Sequence, residues 1–233
     1  MTGCCTTDGT DRFFSKQAAR YAKTFRRKGP DKPSARLIGA LCNLGVESKT
    51  VLDIGCGVGS VHLSLLRNGA HSAVGVEISE GMLVHARKLA AESGFASRVR
   101  YVRGDFLESN DAVGMADIVV MDKVLCCHEL PEPLLRNAAL HSEDLLGVSY
   151  PRNGVMAKIA FHTLNRIGKW LRWSFHPFYH DPATVDRTLV DVGFREVFSD
   201  ITVIWQIKVF SRKGGGDELL RAEGGHEPSP AFG

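Results

Sequence analysis

The apolar positions of this chain follow two periods. Over residues 11–28, DRFFSKQAARYAKTFRRK, Phe14, Ala18, Tyr21 and Phe25 recur at helical spacing, which predicts one amphipathic helix stopped by Gly29-Pro30. A second, short helix is predicted from near Ser34 to a cap at Gly45. Beyond it, continuous apolar runs alternate with helical patterns. TVLDIG (50–55) reads as a buried strand, CGVGS (56–60) as a turn and VHLSLLRNG (61–69) as a helix. SAVGVEI (72–78) reads as a second strand, and Ser79 is placed to cap a helix over 80–93 that ends at Gly94. RVRYVRGD (98–105), ADIVVMD (116–122) and DLLGVSYP (144–151) supply three more strands, with a helix over 131–143. GVMAKIAFHTLNRIGKWLRW (154–173) reads as a helical insertion. A helix over 181–193 follows, with Asp181 as cap and Pro182 at its first position. Residues 195–203 and 205–212 then read as two strands, suited to an antiparallel pair at one side of a sheet.

Strand–helix alternation of this kind implies an α/β fold. The expected form is a doubly wound, mostly parallel Rossmann-like sheet with helices on both faces and an antiparallel C-terminal strand pair. Such sheets bind ligands at the carboxyl ends of their strands. The expected organisation is a flexible N-terminus (1–10), an N-terminal helical lid (11–48), an α/β domain (49–212) with a helical insertion (152–180), and a disordered tail (213–233) rich in Gly, Pro and charge.

Composition narrows this picture only in places. The 233 residues are 44% apolar and 24% charged, which suits one domain with a full core. The net charge of +3 is too small to argue for nucleic acid. No apolar run approaches the roughly 20 residues of a membrane span, and the start MTGCCTTDGTDR has no apolar core of a secretory signal. The cysteines, Cys4-Cys5, Cys42, Cys56 and Cys126-Cys127, match no zinc spacing. They read as reduced thiols of a cytoplasmic protein, with no metal expected. Charge is concentrated in the first helix, where Arg12, Lys16, Arg20, Lys23, Arg26, Arg27 and Lys28 face a single acid, Asp11. That helix is either a solvated face or a cover over the ligand, and it can also attract an anionic substrate or a membrane surface.

The turn VLDIGCGVGS (51–60) carries the chemistry. Gly55, Gly57 and Gly59 permit unusual dihedrals and close approach of backbone to a ligand. A phosphate loop would need Gly-Lys-Ser/Thr, and the turn has no lysine. A dinucleotide fingerprint fits poorly, because Gly59 falls one residue early and Asp53 would oppose a pyrophosphate. Each like-charge pair there costs about 3 kcal/mol at about 5 Å and an effective dielectric near ~20. S-adenosylmethionine has no phosphate. Its ammonium suits Asp53, directly or through water, and the glycine amides can approach its carboxylate and sugar.

VLDIGCGVGS resembles the first motif of class I S-adenosylmethionine-dependent methyltransferases. VGVEIS resembles their second, RGDF their third, and ADIVVMDKVLCCHELPEP their fourth strand and the loop that floors the methyl-transfer site. The resemblance covers residues 50–150 well and extends more weakly to about 210. It implies S-adenosyl-L-methionine as cofactor, held by Asp53, Gly55, Cys56, Gly57, Gly59, Glu77, Ile78, Asp105, Phe106 and Asp122. Glu77 would accept from the ribose hydroxyls, Asp105 from the adenine amine, and Phe106 would pack on the ring. Asp117 reads instead as stabilising the start of its strand. A second similarity, over residues 149–197, is to the layout of magnesium-protoporphyrin methyltransferases, which esterify a tetrapyrrole propionate. CCHEL stands where that family tends to have an IHYP-like sequence, so the acceptor stays open.

The expected function is methylation of a small molecule, carboxylate-bearing or tetrapyrrole-like. The alternatives are a non-catalytic S-adenosylmethionine-binding protein and a nucleic-acid methyltransferase; no NPPY-type motif follows the fourth strand. A carboxylate acceptor needs no base, whereas an alcohol or amine would use His128, with Asp122 as a second candidate catalytic residue. The expected substrate pocket comprises Tyr21, Cys126, Cys127, His128, Tyr179 and His180, with His176 beside them. His128 reads equally as a loop histidine, and Cys126-Cys127 as buried filler or pocket thiols.

Overall fold

The computed structural model describes residues 7–109, 112–155, 159, 163, 166–168 and 177–212. The tail expected at 213–233, Cys4, Cys5 and His176 lie outside the described residues. Of the insertion expected over 152–180, residues 155, 159, 163 and 166–168 are helical.

The basic segment forms two helices rather than one, α1 (Thr7–Ser15) and α2 (Ala18–Lys28). The break has a tertiary cause: Ser15 Oγ meets Ser79 Oγ at 2.8 Å and accepts the Gly81 amide at 3.0 Å. α3 (Lys32–Asn43) begins earlier than expected, because Asp31 rather than a residue near Ser34 is the cap and accepts the Ser34 amide. The alternating region follows as β1 (Thr50–Ile54), α4 (Ser60–Arg67), β2 (Ser72–Glu77), α5 (Glu80–Glu92), β3 (Val99–Arg103), α6 (Phe106–Ser109), β4 (Ala116–Asp122), α7 (Pro131–Leu140) and β5 (Ser142–Pro151). It ends with α8 (Pro182–Asp191), β6 (Arg195–Ile201) and β7 (Trp205–Ser211).

Among the described residues the strands form one seven-stranded sheet in the order β3-β2-β1-β4-β5-β7-β6. The first five run parallel, whereas β7 pairs antiparallel with both β5 and β6, as the C-terminal pattern predicts. The order turns between β1 and β4, and the crevice at such a switch point is where open sheets of this class hold ligands. Both faces of the sheet are buried. Val51, Ile118 and Val120 pack under α3 and α4 on one side, and Leu52, Val119 and Met121 under α7 on the other. This is why these strands read as unbroken apolar runs. At the opposite end Asp117 accepts the Thr50 amide and hydroxyl (2.9 and 2.8 Å), tying the starts of β4 and β1 as expected.

α1 and α2 pack along α5. Asp11 accepts from the Glu80 amide, and Arg26 forms a two-point bridge to Glu92 (2.7 and 3.0 Å). α1 begins at Thr7, inside the stretch expected to be flexible, because its Asp11–Ser15 end is fastened to the start of α5.

Candidate functional site

A cavity of about 440 Å³ opens at the carboxyl ends of the parallel strands, over the switch point. One wall is the turn after β1. Gly55, Gly57 and Gly59 all have positive φ (66°, 55° and 85°), a region costly for residues with a Cβ. Space adds to this requirement at two of them. A Cβ on Gly55 would run into the Val124 side chain, and one on Gly59 would stand 2.7 Å from His62 Nε2. Gly55, Cys56 and Gly57 line the cavity, and the space beside Gly57 is open; Gly59 stands behind it and starts α4.

Glu77, at the end of β2, supports this turn from below. Its Oε2 accepts the Gly57 amide at 2.9 Å and its Oε1 the Ser79 amide at 2.8 Å. A carboxylate has about four acceptor sites, so capacity remains for ligand hydroxyls. Burial pushes the Glu77 carboxyl up, against the pull of the Ser79 and Gly57 amides, and the neighbouring Asp53 adds to the rise. Burial, with Asp53 and Glu77 close by, likewise raises the Cys56 thiol well above its usual range.

Asp53 lines the cavity but is 1% exposed, and its Oδ2 lies 2.8 Å from His62 Nδ1. His62 is wholly buried and its Nε2 reaches the Tyr101 hydroxyl at 3.1 Å. Asp53 therefore anchors the first turn of α4 as well as facing the cavity. His62 carries no functional signal in the sequence; it is a polar residue, with Ser64, inside the otherwise apolar run VHLSLL.

Asp105, Phe106 and Ile78 line the cavity. Asp105 Oδ1 accepts the Leu107 amide at 2.9 Å, and Oδ2 stands 3.6 Å from His128 Nε2. His128, against burial and with help from the Leu107 amide, holds the Asp105 carboxyl below the usual range. Phe106 is buried and meets the His141 ring edge-on. His128 Nδ1 lies 3.1 Å from the Leu130 N–H and 3.2 Å from its carbonyl, so both ring nitrogens face partners within the protein.

The far wall was mostly missed by the sequence reading. Asp122 accepts from the hydroxyls of Ser34 and Ser149. Next to it Lys123 adopts a left-handed backbone, φ 62°. Its Nζ contacts both Asp31 oxygens at 2.7 Å and Ser34 Oγ at 2.8 Å. Burial pushes Asp31 up, but Lys123 and Ser34 outweigh it and hold the carboxyl below its usual range. Only the position of Lys123, directly after a strand end, marked it in the sequence. α1 and α2 supply Thr10, Phe14, Arg20, Tyr21 and Phe25 to the same cavity.

Of the expected substrate pocket, Tyr21, Cys127 and His128 line the cavity. Cys126 is buried behind Cys127. Tyr179 and His180 are placed elsewhere: Tyr179 bonds Arg152 O and Asn153 Oδ1, and His180 Nε2 lies 2.8 Å from the His128 carbonyl. Among the described residues no group of three or more His, Cys, Asp or Glu is placed to hold a metal.

Glycine turn, paired acids at the ends of β1 and β2, and a Rossmann-like sheet with an antiparallel β7 together define a nucleoside-type cradle of the methyltransferase kind. Residues 51–145 match the family described as "Methyltransferase domain". Ribosomal protein L11 methyltransferase of Pasteurella multocida is 33% identical over 93 residues, 40% of this chain and 30% of that protein. Carboxy-S-adenosyl-L-methionine synthase of Wolinella succinogenes is 42% identical over 72 residues, 30% of this chain and 29% of that protein. The chain thus matches about 30% of the length of these relatives. Magnesium protoporphyrin IX methyltransferase from Synechocystis PCC 6803, solved with bound SAH, superposes with a TM-score of 0.67 at 20% identity, over 88% of this chain and 100% of that one, and shares its fold.

Proposed function

We propose that this protein transfers a methyl group from S-adenosylmethionine to a small acceptor bearing a carboxylate, of which a carboxylated tetrapyrrole is one form. The observation that carries the reading is the charge lining this cavity. Asp53 and Glu77 border one end, where a cationic donor with sugar hydroxyls fits and a pyrophosphate does not. Arg20, Lys123 and His128 also line the cavity, Lys123 paired with Asp31 and His128 facing Asp105. Among the described residues Arg20 is hydrogen-bonded through its side chain to a neutral partner, the Gln17 side-chain oxygen at 2.6 Å, so its charge is available to an anion.

When bound, the donor supplies an activated methyl on a sulfonium. The chain's own residues bind, orient and exclude water. Glu77 and the Gly55–Gly59 turn fix the donor, and Phe14, Tyr21 and Phe25 from the lid keep the space above it dry. An ionised carboxylate needs no base. That agrees with His128, whose two ring nitrogens are engaged within the protein, and with Asp122, whose oxygens are taken by Ser34 and Ser149. These two residues are assigned to positioning. Acceptors in the relatives' names range from a ribosomal protein to a porphyrin, so the acceptor class rests on this chain's own cations.

Titration with S-adenosylhomocysteine, in parallel with a nicotinamide dinucleotide and ATP, tests the donor end; heat with the first alone is expected. Labelled methyl transfer to a panel of carboxylates, alcohols and amines tests the acceptor end. A methyl ester releases its label as methanol in alkali, so an alkali-stable label on the preferred acceptor would overturn the carboxylate assignment.

A further inference from the structure

We infer that Cys126 and Cys127 form a chelating dithiol for a soft, trivalent, thiophilic centre, the class represented by organoarsenicals, within the wall of the donor cavity. The two residues sit on one short 3₁₀ turn, Leu125–Cys127, just after the loop that leaves β4. Their sulfurs are 4.0 Å apart, and both point at the same carbonyl, that of Lys123, at 3.3 and 3.5 Å. With thiolate bonds of about 2.3 Å and the roughly 95° angle of a pyramidal trivalent centre, two chelating sulfurs stand about 3.4 Å apart, so the pair closes to a chelate with about half an ångström of side-chain movement. Adjacent residues on an extended strand would point to opposite faces. Here the turn brings the two thiols to one side.

The chemistry of the surroundings selects the ligand. Among the described residues no third or fourth His, Cys, Asp or Glu joins the pair to complete a metal site, so a tetrahedral zinc ion is poorly served. A trivalent arsenical R–As needs two sulfurs and brings its own third substituent. Thiolates are the soft ligands such a centre prefers over the oxygens around it. Cys127 faces the cavity, which has room for that substituent beside Gly55 and His128. The turn is held in place from the other side, because Val124 packs against Gly55.

With phenylarsine oxide the step balances without an oxidant. Two As–S bonds form, the bonds to the oxide oxygen break, and that oxygen leaves as water with the two thiol protons; arsenic stays trivalent. This ligand is independent of the methyl acceptor proposed above, and its test does not depend on methyl transfer.

The experiment uses the full chain with Cys4 and Cys5 replaced by Ser, which removes the other adjacent pair. Phenylarsine oxide is added, then excess glutathione, and intact mass is measured. One adduct that survives glutathione and is removed by a dithiol is expected. Tryptic mapping should place it on the peptide 124–136, VLCCHELPEPLLR, a readout that needs no further variant. In Cys127→Ala and Cys126→Ser the adduct should bind about 10²–10⁴-fold more weakly, the loss expected when one arm of a two-point attachment is removed. Failure to form the glutathione-resistant adduct, its location on Cys42 or Cys56, or its persistence in folded Cys127→Ala would overturn the assignment.

Discussion

Asp53→Asn separates two tasks that the structure assigns to one carboxylate. The residue is 1% exposed, its Oδ2 is 2.8 Å from His62 Nδ1, and it lines the cavity. Asparagine keeps the shape and an acceptor oxygen for His62 but removes the charge. Hydrogen bonds to charged partners contribute about 1.5–3 kcal/mol and neutral ones about 0.5–1.5, so the loss in folding stability should be about 1 kcal/mol. The ligand term is larger. A donor ammonium about 5 Å away, at an effective dielectric near ~20, interacts with the carboxylate by about 3 kcal/mol, or roughly two powers of ten in dissociation constant. Urea unfolding and calorimetric titration of S-adenosylhomocysteine on the same preparations at fixed salt read the two terms separately. The expected result is a modest shift in unfolding midpoint with a roughly 100-fold loss of affinity. A lowered midpoint with affinity within twofold of the parent would refute the reasoning, because Asp53 would then serve His62 and α4 alone.

Glu77→Ala should weaken S-adenosylhomocysteine by about 1–3 kcal/mol, measurable by the same titration, since ligand hydroxyls and the Gly57 and Ser79 amides lose their acceptor. Lys123→Gly should be more stable than Lys123→Ala by about 1 kcal/mol in urea, because both lose the Asp31 contacts but only alanine keeps a Cβ at φ 62°. Arg20→Ala should raise KM for a carboxylate acceptor several-fold and leave donor affinity unchanged, as steady-state kinetics and calorimetry would show. For acid stability, Asp105, Asp31 and Asp117 have folded carboxyl groups below the ordinary value. Their contribution is complete above about pH 4–5, and is lost as pH falls through those depressed values. Glu77, raised, has the opposite sign and regains stability on protonation, but it is one group against three. Thermal midpoints should therefore be flat from neutral to about pH 5 and fall below about pH 4.

The strands were readable because each is covered on both faces, so burial itself wrote unbroken apolar runs such as TVLDI and ADIVVMD. The break between α1 and α2 was not readable, since Phe14, Ala18, Tyr21 and Phe25 keep helical spacing straight across it. What interrupts the helix is a contact 64 residues away in sequence, Ser15 with Ser79. Tyr179 and His180, expected in the pocket, are not among the residues lining the cavity. Their polar atoms bond Arg152, Asn153 and the His128 carbonyl.

The two ends of the cavity differ in how locally they are encoded. The donor end comes from consecutive residues and one neighbouring strand end: Asp53, the three glycines and Glu77, with β1 and β2 side by side. Local chemistry therefore announces it. The proposed acceptor end is assembled from three separate segments, with Asp31 and Ser34 at the start of α3, Asp122 and Lys123 at and just after the end of β4, and Ser149 from β5. None of these has a spacing rule in common. The arrangement also joins the lid to the chemistry. Asp31 caps α3 and binds Lys123, while Ser34 of the same helix donates to Asp122. Any anion that draws Lys123 away from Asp31 must compete with a carboxylate belonging to the lid, so occupation of the acceptor end and the seating of α3 are coupled through that one ammonium group.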